Sequence, residues 1–373
     1  MLGPLSVRGW GNRISLMAKP LIMLTMGDPA GVGPEVIVRA WRDPRLHAVA
    51  RPLVAGHPEV LSRAVELTGS SARVDAIASP DQAKPTFEGI PCLMACRADA
   101  ARVPPGVVDA RGGRAAFDAL LVATELALAG RVDAITTAPL SKAALHCGGH
   151  AYPGHTEILA ELCGVRDFAM MLYLGPGDPL KSPTGLGVVH ATLHTPLAEV
   201  PSLLAEDDLV AKLRLTRNEI ARMKGDEPTI GVCALNPHAG EEGLFGDEEQ
   251  KIIRPAVERA AAEGLQVSGP FPADTLLVRA RDGEFDAVLA MYHDQGHIAI
   301  KLLGMHRAVN VTLGLPIVRT SVAHGTAFDL AWQGRARAEG MVEAVRVAAR
   351  LVAAGTAARA RLSVTQHPAA LRS

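Results

Sequence analysis

Aromatic side chains are scarce in this chain, 3% of 373 residues. That removes the stacking platforms on which single-stranded nucleic acids are held. Charge of either sign is not in excess: 38 basic residues face 39 acidic ones, which leaves no electrostatic footprint for a polyanion or an acidic membrane surface. No apolar run reaches the roughly 18 residues needed to span a bilayer. The stretch MLGPLSVRGWGNRISLMAKP lacks the continuous apolar core of a signal peptide, and residues 1–17 read as a disordered or extra extension. Cysteine is sparse and odd in number: Cys92, Cys96, Cys147, Cys163 and Cys233. That pattern is not a disulfide framework. Cys92 and Cys96 have no second close pair to complete a metal knuckle, so both are expected in a buried strand. A reducing cytoplasm fits. Neither GxGxxG nor a Walker A loop is present.

Apolar residues make up 48% of the chain, enough for two domains or one large α/β domain. Short apolar runs at 21–26, 51–55, 132–137, 229–235 and 285–291 read as strands. Amphipathic runs beginning at Pro34, and at 58–67, 115–129, 209–224, 247–263 and 341–354, read as helices. Residues 168–174 and 186–193 read as paired strands around the turn-rich GPGDPLKSPTG. This alternation predicts an α/β fold with a largely parallel sheet and helices on both faces. In such sheets ligands sit beyond the carboxyl ends of strands.

Most of the unusual polar residues follow strands. TMGDPAGVGPE joins a strand to a helix; it is a plain tight turn or, at the helix N-terminus, an anion site. In YPGHTE, Thr156 would cap the next helix, while His155 reads as an exposed loop histidine or a ligand-binding one. His190 and His194 would share one strand face, with His190 read as a core or solvated imidazole and His194 at the strand end. His238 follows another strand in NPHAGEEGLFGDEE, whose DEE is simplest as a helical first turn. His293 follows a third strand, in FDAVLAMYHDQGHIAIKLLG. Gln295, Gly296 and His297 are expected only to shape the turn. Three histidines at three strand ends suit a catalytic divalent ion with an open position, but on spacing alone ordinary histidines are the simpler reading, because a chain with 13 histidines offers many such triples. Lys301, Asn310 and Arg319 suit an anion if they converge on one pocket, and HGTAFDLAWQG, His324 to Gly334, could wrap a nucleotide.

The motifs TMGDPAGVGPE, TTAPLSK, YPGHTE, NPHAGE, MYHDQGH, VNVTLGLPIVRTS and HGTAFDLA stand in that order from about Leu21 to the last helix. In them the chain resembles the 4-hydroxythreonine-4-phosphate dehydrogenase (PdxA-like) family. HGTAFDLA is also similar to the adenosine loop of isocitrate and isopropylmalate dehydrogenases. The resemblance implies two α/β/α subdomains with a cleft between them, similar to those dehydrogenases and not a Rossmann fold. It places the first domain at 18–150 plus 311–360, the second at 151–310 and a tail at 361–373. It implies metal ligands His194, His238 and His293 for one zinc, magnesium or cobalt ion. Substrate would be bound by His155, Thr156, Lys301, Asn310 and Arg319. NAD or NADP would lie near Asn310 and His324, Gly325, Thr326, Ala327 and Asp329. Lys301 or Asp294 would accept the proton. It further implies a cytoplasmic homodimer with its site at the subunit interface.

The implied reaction is oxidation of the C3 alcohol of a 4-phosphorylated hydroxy acid, followed by decarboxylation, as in pyridoxal phosphate synthesis. YPGHTEILAEL, GLFGDEE, YHDQGHIAIKLLG and GTAFDLAWQG resemble a branch acting on 4-phospho-D-threonate or 4-phospho-D-erythronate. A relative that oxidises the cis-dihydrodiol of terephthalate lacks the His-Thr pair kept here as His155-Thr156. The rival readings are a metal-free phosphate acyltransferase and a zinc-stabilised binding protein. The histidine trio weighs against the first, and the lack of a nearby fourth ligand against the second.

Overall fold

The structure is a computed structural model and describes residues 19–365; the expected N-terminal extension and the end of the tail lie outside the described residues. Twelve strands form one sheet: β1 Leu21–Thr25, β2 Arg51–Gly56, β3 Arg73–Ile77, β4 Gly89–Met94, β5 Ala134–Thr137, β6 Ala169–Leu174, β7 Leu186–His190, β8 Ile230–Cys233, β9 Val267–Phe271, β10 Ala287–Ala290, β11 Ala308–Leu313 and β12 Val318–Val322. Their spatial order is β3-β4-β2-β1-β5-β12-β11-β6-β7-β10-β8-β9.

The two ends of this sheet are parallel, but its centre is not. β11 is antiparallel to both β12 and β6, and β6 is antiparallel to β7. Three reversals leave the half containing β1, β5 and β12 pointing opposite to the half containing β7, β10 and β8. The start of β12, the end of β11 and the ends of β7, β10 and β8 therefore share one rim. The sheet is largely parallel, as expected, with eight of its eleven strand pairings parallel; the antiparallel centre is the one departure. Two hairpins contribute to it: the glycine- and proline-broken run VNVTLGLPIVRTS folds back on itself as β11 and β12, and β6 and β7 pair around GPGDPLKSPTG as the sequence suggests.

Each half has its own core on both faces of the sheet. The closing helix Glu339–Thr365 serves both: Met341, Val342, Val345 and Ala348 pack into one half, and Ala344, Val347 and Leu351 into the other. It runs beyond the 341–354 expected from sequence. Cys92 is buried in β4, and Cys96 stands partly buried just past it; all five cysteines are free.

Candidate functional site

β7, β10 and β8 lie side by side and parallel, with Ala290 opposite His190 and Leu289 opposite Val232. The three singled-out histidines follow these three strands. β7 ends at His190, earlier than expected, so strand alternation does not relate His190 to His194; His194 sits in the loop beyond. His293 opens the helix His293–Gly304, where the sequence suggests only a turn. The polar, glycine-containing first turn HDQGH hid that helix. His238 lies in Pro237–Gly243, where His238, Ala239, Gly240, Glu241 and Glu242 all have positive φ, from 44° to 80°. A run of non-glycine residues in the left-handed region is strained, and such strain collects at functional loops.

His194 and His293 come together, with ring centroids 5.5 Å apart. His238 does not join them: its exposed ring lies 3.3 Å from Glu241 and edge-on to Phe245. Among the described residues no three His, Cys, Asp or Glu side chains gather as an ion-holding group. His293 Nδ1 lies 2.6 Å from Asp294 Oδ1, an arrangement that leaves Nε2 free and holds the Asp294 carboxyl below its usual range. Burial, then Lys142 and His293, push the His194 pKa down, which keeps its lone pair for a ligand.

Beneath His293 lies a second pair. His297 stacks on it at 3.6 Å and 14°, and its Nδ1 is 3.1 Å from His190 Nε2. His190 Nδ1 faces the Met170 carbonyl at 3.4 Å. A donating Nδ1–H on His190 leaves Nε2 to accept from His297. Burial pushes His190 down to about 3 and His297 to about 4, so both stay neutral. His190 is thus a core imidazole, and His297 is part of the helix supporting His293 rather than of a turn.

The second feature is a buried cation. Arg319, 1% exposed at the start of β12, donates to Thr312 Oγ1 at 2.9 Å and Thr137 Oγ1 at 2.7 Å, while its Nε has no partner. On neighbouring β11, the buried Oδ1 of Asn310 is also unpartnered. Burial and the Arg319 charge hold His155 well below its usual pKa, against the pull of the Ala138 backbone. His155 is the first residue of the helix His155–Leu162, which Gly154 precedes without a side-chain cap; Thr156 is buried inside the first turn and is not the cap. Glu157 acts on both Arg319 and His194, and Lys142 on His194, so these groups connect the anion pocket to the histidine pair. Thr137, Lys142 and Glu157 were not singled out from sequence, although the TTAPLSK motif contains the first two. Lys301 lies two turns along the His293 helix and bears on His297 and Asp294.

The third feature is the turn from His324 to Asp329. Val32 N donates to the Thr326 carbonyl at 3.0 Å, Trp332 Nε1 to the Pro29 carbonyl at 2.8 Å, and Gln333 Nε2 to the Asp329 carbonyl at 2.6 Å. Ala327 and Trp332 have φ of 43° and 60°. The turn is thereby fastened to the glycine-rich loop after β1 and leaves His324, Gly325 and Asp329 exposed along a rim. In that loop Gly27 is at φ +69°, and a Cβ there would meet the Pro139 carbonyl at 2.2 Å.

These residues fit the groups the sequence implied. His194 and His293, which stand together, with the His293 Nδ1 facing a carboxylate, offer the donor chemistry of a divalent ion, while His238 stands apart from them. Unpartnered Arg319 Nε and Asn310 Oδ1 suit an anionic, hydroxylated substrate, and the fastened turn offers exposed polar groups to a nucleotide.

Comparison with known proteins agrees in kind. The family model described as pyridoxal phosphate biosynthetic protein PdxA matches residues 48–348. A 4-hydroxythreonine-4-phosphate dehydrogenase of Trichlorobacter lovleyi is 44% identical over 339 residues, 90% of this chain and 98% of that one. A D-threonate 4-phosphate dehydrogenase of Pectobacterium atrosepticum is 42% identical over 339 residues, 89% of this chain and 99% of that one. The solved structure of 4-hydroxythreonine-4-phosphate dehydrogenase from Klebsiella pneumoniae matches with a TM-score of 0.80 at 41% identity, covering 90% of this chain and 100% of that one.

Proposed function

The chain belongs to the family of the pyridoxal phosphate biosynthetic protein PdxA, and from that premise we propose that it is an NAD(P)-dependent dehydrogenase for the C3 alcohol of a 4-phosphorylated hydroxy acid, with decarboxylation of the product. The first substrate reading is 4-hydroxy-L-threonine 4-phosphate, giving 3-amino-2-oxopropyl phosphate. A second reading, 4-phospho-D-threonate or 4-phospho-D-erythronate, is supported by the D-threonate 4-phosphate dehydrogenase relative at nearly the same identity. The observation that carries the proposal is the row of histidines after β7, β10 and β8, on the same rim as Arg319.

His194, His238 and His293 would hold one divalent ion; when bound, it would supply Lewis acidity at the alcohol oxygen, and NAD(P)⁺ would take the hydride. The remaining steps belong to the chain. Arg319 binds an anionic end of the substrate through its unpartnered Nε, with the neutral His155 and Thr156 beside it. Lys301, with Asp294 as the alternative, receives the hydroxyl proton. Loss of CO₂ from the β-keto acid returns an electron pair to C2, and reprotonation there completes the product. Asn310 and the turn His324, Gly325, Thr326, Ala327 and Asp329 position the nucleotide.

We further propose two lobes, 18–150 with 311–360 and 151–310, meeting at the central antiparallel strands, in a homodimer with its site at the subunit interface. Free thiols support a reducing, cytoplasmic setting, and no helix among the described residues is long and apolar enough to cross a membrane.

NADH and NADPH formation by metal-loaded protein tests the function, with the amino substrate, the two hydroxy acids and an EDTA-treated control. Turnover of the amino substrate supports the first reading, and preference for the hydroxy acids the second. EDTA-insensitive turnover overturns the three-histidine site, and no turnover with any of the three overturns the substrate class.

A further inference from the structure

The proposed substrate carries two anionic ends, a carboxylate and a phosphate, and Arg319 can take one of them. The segment TTAPLSK, which supplies Thr137 to Arg319, presents another cation before it ends. β5 closes at Thr137, whose Oγ1 accepts from Arg319 Nη2 at 2.7 Å. The chain is then fastened twice. Asp28 N donates to the Pro139 carbonyl at 3.0 Å, and Ser141 Oγ accepts from Ala144 N at 3.2 Å as the cap of the short helix Lys142–Cys147. Lys142 is the first residue of that helix. Its backbone is seated hard against the helix Ala110–Leu128: a Cβ on Gly113 would collide with the Ala144 carbonyl, and Ala144 and Leu145 are fully buried. Lys142 is therefore exposed but springs from a rigid base.

Its side chain reaches toward the helix that carries His155 and Thr156. A Cβ built on Gly154 would have Glu157 Oε2 at 3.5 Å and Lys142 Cε at 3.9 Å, so two opposite charges flank the residue before His155. Among the described residues no hydrogen bond or ion pair holds the Lys142 ammonium. The charge of Lys142 is felt at His194, that of Arg319 at His155, and that of Glu157 at both His194 and Arg319. Along the pocket the order is thus cation, carboxylate, cation. A compact ammonium on a flexible stem suits a carboxylate or a phosphate. The carboxylate between the cations repels an anion from the middle of the pocket and leaves room for one at each side.

We propose that Lys142 is a substrate-binding residue: it takes the anionic end of the phosphorylated acid that Arg319 leaves, with Glu157 facing the uncharged or cationic middle of the molecule. The inference rests on the substrate reading above and adds to it a selection for short acids charged at both ends.

The test uses the full-length, metal-loaded enzyme and whichever of the three phosphorylated acids the wild type turns over. K142M removes the charge and keeps the stem, K142R restores a cation, and R319M is the comparison. Glycerol 3-phosphate, which has the phosphate end without the carboxylate, and D-erythronate, which has the reverse, serve as competitive inhibitors. Loss of one charge-assisted contact is expected to raise KM in K142M about 10–100-fold with kcat little changed, and K142R should recover most of it. Inhibition by one probe should weaken in K142M and inhibition by the other in R319M; which probe follows which variant assigns the two ends. An unchanged KM in K142M overturns the inference and makes Lys142 an ordinary solvated lysine. Weakened inhibition by the same probe in both variants overturns it as well, because the two cations then share one end. A wild type that turns over none of the three acids overturns the functional reading and this inference with it.

Discussion

Arg319 is a buried cation whose hydrogen bonds go to two neutral hydroxyls, and among the described residues no carboxylate bonds it. Burial pulls its pKa down to about 9, so at neutral pH the guanidinium is charged at a cost to the empty fold. R319M is therefore expected to split stability from function. Loss of charge-assisted bonds of about 2–3 kcal/mol should raise KM for the phosphorylated acid roughly 30–150-fold, while urea denaturation shows no loss of stability. A large stability loss with KM unchanged would make the arginine a strut instead. Asp28 poses the opposite question. It is fully buried, accepts only from Ala30 N through Oδ1, and burial raises its pKa from 3.8 to about 6. Its folded pKa lies above the unfolded one, so the native state binds more protons between those values. Stability falls as pH rises through that window, and the full penalty is present above pH 6. Relative to wild type, D28N should gain about 2–3 kcal/mol between pH 4 and pH 8, whatever its fixed packing cost. Parallel denaturation midpoints at the two pH values would refute this.

The helix His293–Gly304 shows how an element can reverse a rule of thumb. Gly296 sits in its second half-turn, where alanine would ordinarily gain about 1 kcal/mol of helix propensity. Here a Cβ would stand 2.6 Å from both His190 Nε2 and Val188 Cγ1. G296A should therefore destabilise by about 1–3 kcal/mol through overpacking, and should disturb the His190–His297 bond beneath His293; a urea midpoint at or above wild type would contradict the packing. The same helix marks where sequence legibility ended. Long apolar runs such as LIMLT and AMMLYL announced their strands, and proline in the first turn announced the helix Gly33–Trp41. HDQGH did not announce a helix, because its apolar period begins only after the site residues. RVDAI, now the edge strand β3, is too short and polar to stand out, and GIPCLM, now β4 beside it, is legible only through its buried cysteine. At the site, histidines stood out by residue type, whereas Thr137 and Glu157 did not. Their importance comes from burial and partners that only the folded chain brings together.

At the scale of the whole molecule, the opposed halves of the sheet bring groups from both sides of the central strands to one rim: Arg319 from one side, His194 and His293 from the other, with Glu157 acting on both. The helix opened by His293 then turns an apolar stripe outward. Ile298, Leu302 and Met305, spaced i, i+4 and i+7, are exposed, Leu302 to 82%. Contiguous large apolar side chains on a soluble chain mark contact surfaces, and a helical stripe at this spacing matches the face another helix would cover. The proposed homodimer explains it: a second copy seated there would desolvate the stripe and stiffen the helix that begins with His293. L302E is expected to convert dimers to monomers in light scattering, because a carboxylate buried against apolar surface has no partner. Its melting point should become independent of protein concentration, whereas the wild type should melt higher as concentration rises. Turnover should fall with dimer content, and it should recover in L302M, which restores apolar volume. A wild type that is monomeric at micromolar concentration with full activity would remove both the dimer and the interface site, leaving the stripe to be explained by some other partner.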